Sequence, residues 1–343
     1  MIRARIVKNW AEFWMNDSEF IAQTPNCSGR WGNVEFTLDE IEEPDYLIVF
    51  NRPRANITVR CRPSCIWGFI QEPPNEIFRS MHKGQRAFGR VFMSDEGNVG
   101  GRFILSHPPL PYFVGKSFDD LVDMSVPAKE KCVSCITSKT RFFQGHVDRL
   151  EFLEKLGKHV EMDLYGRSIK WVASKWDALA PYKYAVVLEN CVHPWYWSEK
   201  LSDCFLSWTM PLYVGCPRIG QYFPSQSFVA LDRHSPERAA EQILQAVASG
   251  AWERNFESLQ EARRRTLFQY GCFPYIASLI ERFEVTRDSL EQPIQVSVRA
   301  ITPRILETWI RSKSRAWRLD LPSWAAKKIR SFRPGCLEND EAL

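Results

Sequence analysis

The chain has 343 residues and a formal net charge of +4, with 45% hydrophobic and 13% aromatic residues. This length accommodates two domains of ordinary size, and the composition excludes a disordered protein. No run reaches the roughly 18 apolar residues of a membrane span, and the charged N-terminus MIRARIVKNWAEFWMNDSEF lacks the apolar core of a secretory signal. A cytoplasmic protein is expected.

In chain order, the apolar runs DYLIVF (45–50), CIWGFI (65–70) and RVFM (90–93) predict strands of a first α/β domain, 1–126. The proline-rich HPPLPYFVG and the run to 126 predict a linker. A second domain, 127–290, alternates strands with helices. Its predicted strands are CVSCIT (132–137), VEMDLYG (160–166), YAVVLEN (184–190), PLYVG (211–215) and SFVALD (227–232). Between them lie HVDRLEFLEKLG, with Val147, Leu150, Leu153 and Leu156 on one stripe, then SEKLSDCFLSW and SPERAAEQILQAVASG. In the last, Ser235 is the expected N-cap and Gly250 the C-cap. Strands that are continuously apolar predict parallel sheets covered on both faces.

Ten cysteines are present. Cys132 and Cys135 form a CxxC inside a strand-like run, and Cys61 and Cys65 flank RPS in the other predicted domain. That separation argues for buried thiols rather than a zinc site.

Ligands of such sheets bind beyond the carboxyl ends of the strands, where helix N-termini also attract phosphate. LENCVHPWYWSEKLSDC (188–204) occupies that place. Taken alone, its SEK also reads as a capping Ser198, a first-turn Glu199 and a solvated Lys200.

The longer stretch from YKYAVVLEN through SEKLSDC and PLYVG to SFVALD resembles the α1,3/1,4-fucosyltransferase family, glycosyltransferase family 10. The resemblance rests on Glu189-Asn190, Tyr196, Ser198-Glu199-Lys200, Pro211 to Gly215 and Ser227-Phe228, with CVSCITSKT, Arg149 and DLYGR upstream. It implies a GT-B fold, two Rossmann-like doubly wound domains facing a cleft, and an inverting transfer of fucose from GDP-fucose to a glycan hydroxyl. By the same resemblance Arg149 and Lys200 neutralise the diphosphate, and Asn190, Tyr196, Ser198 and Glu199 complete the donor pocket. On its own, Arg149 also reads as an exposed helix residue paired with an acid. Ser198 stands where threonine is more usual. Trp195 and Trp197 flank Tyr196 where many members have smaller residues, which leaves open a different sugar. A non-catalytic glycan- or nucleotide-binding module is the other alternative.

The base implied by the resemblance is a carboxylate of the first domain in a Glu-x-Pro context. Glu72 in QEPPNEIF fits, with Glu76 as fallback and a solvated strand-end acid as the plain reading. Asp95 and Glu96 read as turn formers, and His107 and His193 as packing residues or acceptor contacts. The chain has no DxD, so neither a metal nor another cofactor is expected.

Residues 299–333 hold ten Lys or Arg against two acids, a net +8, so the remainder sums to −4. In this tail, 291–343, Leu306, Ile310 and Trp317 lie near one helical stripe, and Trp324, Ala325, Ile329 and Phe332 form a second apolar face. Basic residues among them suit an interfacial helix on an anionic membrane surface, serving an oligosaccharide or lipopolysaccharide-type acceptor. Packing back onto the enzyme is the alternative, and no nucleic-acid reading domain accompanies the charge.

Overall fold

The computed structural model describes residues 1–10, 15–53, 55–74, 86–139, 141, 144–166, 169–284 and 291–300. The apolar and basic residues singled out between 304 and 332 lie outside them, as does Glu76. No described helix is long and apolar enough to cross a membrane.

The first unit is built on β1 (Ile2–Val7), β2 (Arg30–Trp31), β3 (Val34–Thr37), β4 (Tyr46–Phe50), β6 (Ile66–Phe69), β7 (Arg90–Met93) and β8 (Phe103–Leu105), with β5 (Ile57–Cys61) outside the sheet. Their order is β2-β3-β1-β4-β6-β7-β8, and only β2 runs antiparallel to its neighbour. β4 and β6 are buried along their whole length because both faces of the sheet are covered. Their large side chains make an aromatic core: Phe69 stacks on Phe92 at 4.5 Å, and Trp67 meets Tyr46 edge-on at 4.9 Å. β1 was not among the expected strands, yet it is central. Its alternation of Ile2, Ala4 and Ile6 with Arg3 and Arg5 is a strand signal hidden by the charges.

The second unit has the order β10-β9-β11-β12-β13, all parallel. Its strands are β9 (Lys131–Ile136), β10 (Asp163–Tyr165), β11 (Tyr182–Leu188), β12 (Met210–Val214) and β13 (Val229–Ala230). The helices, in chain order with the rest, are α1 (Asp17–Ile21), α2 (Phe118–Asp123), α3 (Gln144–Leu156), α4 (Lys175–Leu179), α5 (Glu199–Leu206), α6 (Pro236–Ala248), α7 (Ala251–Arg254), α8 (Phe256–Arg265) and α9 (Cys272–Glu284). Ser235 caps α6 through a bond from Arg238 N, and Gly250 follows its end in the left-handed region. The parallel α/β architecture expected from the strand–helix alternation is therefore present in both units.

The units are divided differently from the sequence boundaries. α9 falls within 127–290, but its Phe273, Ile276 and Ile280 are buried in the first unit's core, where Phe273 meets Phe20 and Phe36. Beyond it, β14 (Ile294–Val298) pairs antiparallel with β5, so the tail begins as a strand of the first unit. A helix pattern in sequence tells which face is apolar but not which sheet receives it. The linker, too, is no solvated tether: Tyr112, Val114, Phe118 and Leu121 form a small core with Leu206 and Leu267.

Cys61, Cys65 and Cys135 are buried free thiols, as expected, whereas Cys132 is exposed because β9 begins outside its core. Among the described residues no group of three potential ligands could hold a metal ion.

Ile276 is fully buried in the first unit although it follows the second in sequence. Ile276→Ala is expected to cost about 2–5 kcal/mol in denaturant unfolding, while Leu244→Ala, 53% exposed on α6, stays within about 0.5 kcal/mol. Equal effects would reject this packing assignment.

Candidate functional site

The site is organised by a carboxylate at the end of β11. Glu189 continues the ladder, its N–H donating to Val214 O at 2.9 Å, and is only 6% exposed. A buried carboxylate must find donors. Here Ser198 supplies its backbone N–H and its hydroxyl, each at 2.7 Å, and Lys200 Nζ lies 3.7 Å away. The loop is thus tied from strand end to helix start. Gly215 sits beside this carboxylate, and a Cβ there would come 2.6 Å from Glu189 Cγ. Cys216 Sγ bonds Pro194 O at 2.9 Å and pins the middle of the loop.

A chain of alternating charges continues from there. Lys200 Nζ donates to Ser198 Oγ at 3.0 Å and to Glu199 Oε1 at 3.4 Å. Lys175, on α4, lies 3.7 Å from Glu199 and 2.7 Å from Asp203. Asp203 Oδ1 in turn accepts from Phe113 N of the linker at 2.8 Å. Burial pushes the Glu199 carboxyl up, but Lys200 and Lys175 outweigh it and hold the group at about 2. Lys175 and Asp203 carry no sequence signal, since their meeting depends on α4 lying against α5.

Arg149 reaches the same place from α3. It is 9% exposed, and its guanidinium donates to Asn190 Oδ1 at 2.6 Å and Ser138 Oγ at 3.4 Å. Its Nε is buried without an acceptor, and among the described residues no carboxylate pairs with it. The reading of Arg149 as an exposed, acid-paired helix residue is therefore wrong. α3 can approach this closely because Gly145 has no side chain: a Cβ there would collide with Asn190 O. His146, next in line, is held neutral down to about 4 by burial and by the cations Arg149 and Lys200.

The other residues fall into place around this frame. Tyr196 is buried, and after burial its hydroxyl is most affected by Glu189, Glu72 and Glu199. Glu72, three residues beyond β6 in the first unit, has its carboxyl raised by burial and by Glu199, with Lys200 opposing. Glu72 of the first unit and the Glu199–Lys200 pair of the second are thus close enough to influence each other's charge. Ser198 is 1% exposed, with its hydroxyl occupied by Glu189 and Lys200.

Trp197 is turned away from this space. It stacks on His107 at 5.0 Å, among Tyr222, Phe223 and Tyr270, so it packs the junction of the units. His107 is fully enclosed and kept neutral down to about 3 by burial, a packing residue. Asp95 is also a turn former, binding Gly97 N and Asn98 Nδ2. Glu96 does more than form a turn, because it accepts from Trp195 Nε1 of the second unit at 2.8 Å.

Since Glu199 is held near 2 against an ordinary 4.5, its charge contributes stability above about pH 4.5 that is lost as pH falls towards 2. The gap in melting temperature between the native protein and Glu199→Gln should close over that interval. A gap that does not change with pH would break the link to Lys175 and Lys200.

Residues 126–258 match the family model described as glycosyltransferase family 10 (fucosyltransferase) C-term. Among curated proteins, the Bos taurus 3-galactosyl-N-acetylglucosaminide 4-alpha-L-fucosyltransferase FUT3 is 27% identical over 43% of this chain and 41% of its own. The Homo sapiens protein of the same name is 28% identical over 66% of this chain and 63% of its own. The chain thus spans less than two thirds of the length of these relatives. Of solved structures, an alpha1,3-fucosyltransferase with GDP-fucose covers 85% of this chain and 93% of its own, at 18% identity and a TM-score of 0.50. An alpha1,3-fucosyltransferase with GDP matches at the same TM-score of 0.50, over 92% of its length. The likeness extends across both sheets and makes the fold GT-B. The matched segment, which holds Arg149, Asn190 and Lys200, is thus similar to glycosyltransferase family 10, and the chain as a whole shares the fold of an alpha1,3-fucosyltransferase.

Proposed function

We propose that the protein transfers fucose from GDP-fucose to a hydroxyl of an oligosaccharide or lipopolysaccharide-type acceptor, with inversion at the anomeric carbon. The observation that carries this reading is Arg149, a buried guanidinium hydrogen-bonded to two neutral oxygens and whose Nε has no acceptor. Burying a cation without an acid is costly unless an anion arrives from outside. A nucleotide diphosphate at the carboxyl ends of β9 and β11 meets that need, with Lys200 as second donor. Both relatives are named as fucosyltransferases, and one solved neighbour is described with GDP-fucose.

In the proposed reaction Glu72 accepts the proton of the acceptor hydroxyl as its oxygen attacks the anomeric carbon. The bond from that carbon to the diphosphate breaks, and its electron pair leaves with GDP. Arg149 and Lys200 stabilise the charge that develops there, and no divalent ion is required for it. Glu199 is held ionised by two lysines and suits hydrogen bonding to sugar hydroxyls rather than proton transfer. Glu72, with its carboxyl raised, is the better base.

The deciding experiment is turnover of a panel of sugar nucleotides with glycan acceptors, with and without a chelator. GDP-fucose should be consumed and the chelator should have no effect; turnover of a different donor alone would replace the sugar. In that assay Arg149→Ala and Lys200→Ala are each expected to lose about 10²-fold or more in rate. Near-native turnover of both at saturating donor would reject the diphosphate site. Glu72→Gln should bind GDP-fucose in calorimetry as the native protein does, yet lose about 10²–10⁴-fold in transfer. An active Glu72→Gln would pass the base to another carboxylate.

A further inference from the structure

One contact bridges the rims of the two units near this site. Trp195 lies in the loop between β11 and α5, and Glu96 in the turn after β7. Trp195 Nε1 donates to Glu96 Oε2 at 2.8 Å, joining residues 99 positions apart. Each side is braced. Arg218, beyond β12, stands over the Trp195 ring at 4.8 Å, and the Cys216–Pro194 bond holds the residue before Trp195. On the other side Asp95, next to Glu96, is 3% exposed and bonds Gly97 N and Asn98 Nδ2, fixing the turn that presents Glu96. The neighbouring residue on the loop is Tyr196, whose hydroxyl is influenced by Glu72 and Glu199. The bridge therefore lies on the loop that leads directly into Ser198, Glu199 and Lys200.

We propose that Trp195 and Glu96 form a latch that holds the two rims together and keeps water from the anomeric carbon of the bound donor. Trp195 and Glu96 are positioning residues, and their effect is on which nucleophile reaches the sugar. This rests on the transferase reading above. When the rims part, water replaces the acceptor: its oxygen bonds to the anomeric carbon, its proton goes to the base, and GDP leaves with the electron pair of the broken bond. The sugar is then released free. Glu96 is exposed and Trp195 half-buried, so the bond can break and re-form without disturbing either core.

The variants are Trp195→Phe, which keeps an aromatic ring but removes the N–H, Glu96→Ala, and the pair combined. Glu96→Gln retains an acceptor oxygen and serves as the conservative rescue. Small-angle scattering of the ligand-free proteins reads the latch without any donor: Trp195→Phe and Glu96→Ala should enlarge the radius of gyration, with Glu96→Gln near native. In turnover with GDP-fucose, the ratio of free fucose to transferred fucose should rise about tenfold in each single variant and no further in the double. Unchanged scattering together with an unchanged ratio would overturn the latch, as would single-variant effects that simply multiply in the double. A scattering change in a protein that consumes no GDP-fucose would uphold the bridge between the rims but reject the transferase reading, and with it the bridge's role in excluding water.

Discussion

Burying a carboxylate at the end of a strand is a demand that the rest of the site answers. Glu189 is cut off from water, so its oxygens dictate where Ser198 and Lys200 must be. That sets the first turn of α5, and with it the direction of Glu199. The loop between has little freedom left, because both ends and its middle are tied. Gly215 is small because the Tyr213 ring and the Glu189 side chain both pass where a side chain would begin. A motif that in sequence seems to be about a ligand is, in its first layer, about anchoring a loop.

The second layer is electrostatic. Lys175, Glu199, Lys200 and Glu189 alternate in sign, and each partly offsets the burial of the next. Arg149 stands outside that alternation, bonded to an amide and a hydroxyl oxygen. Glu189 and Glu199 still favour its charge, but neither lies within ion-pair distance of it. Asp203 carries the network to the backbone of the linker, so the electrostatics of the site and the junction of the units are joined.

The strands of the second unit were legible because parallel strands covered on both faces read as continuous apolar runs, and the motif between β11 and α5 keeps its spacing without insertion. Asn190 and Lys200 stand in that motif, whereas Arg149 and Glu72 were singled out through the family resemblance; the structure places both within the electrostatic reach of Glu199. Other features depended on tertiary meetings. β1 was masked by arginines on its alternate positions, and α9 has an apolar stripe that names no sheet. Lys175, His146 and the Trp195–Glu96 pair become visible only when distant elements are placed side by side.

The return of α9 and β14 to the first unit makes that unit discontinuous along the chain. Its sheet is laid down first, but Phe273, Ile276 and Ile280 are not available until the other unit has been made. The later-encoded sheet closes its core from neighbouring residues alone. On the ribosome, the order in which the cores close is therefore the reverse of the order in which they are begun, and the aromatic strands around Trp67 wait uncovered in the interval.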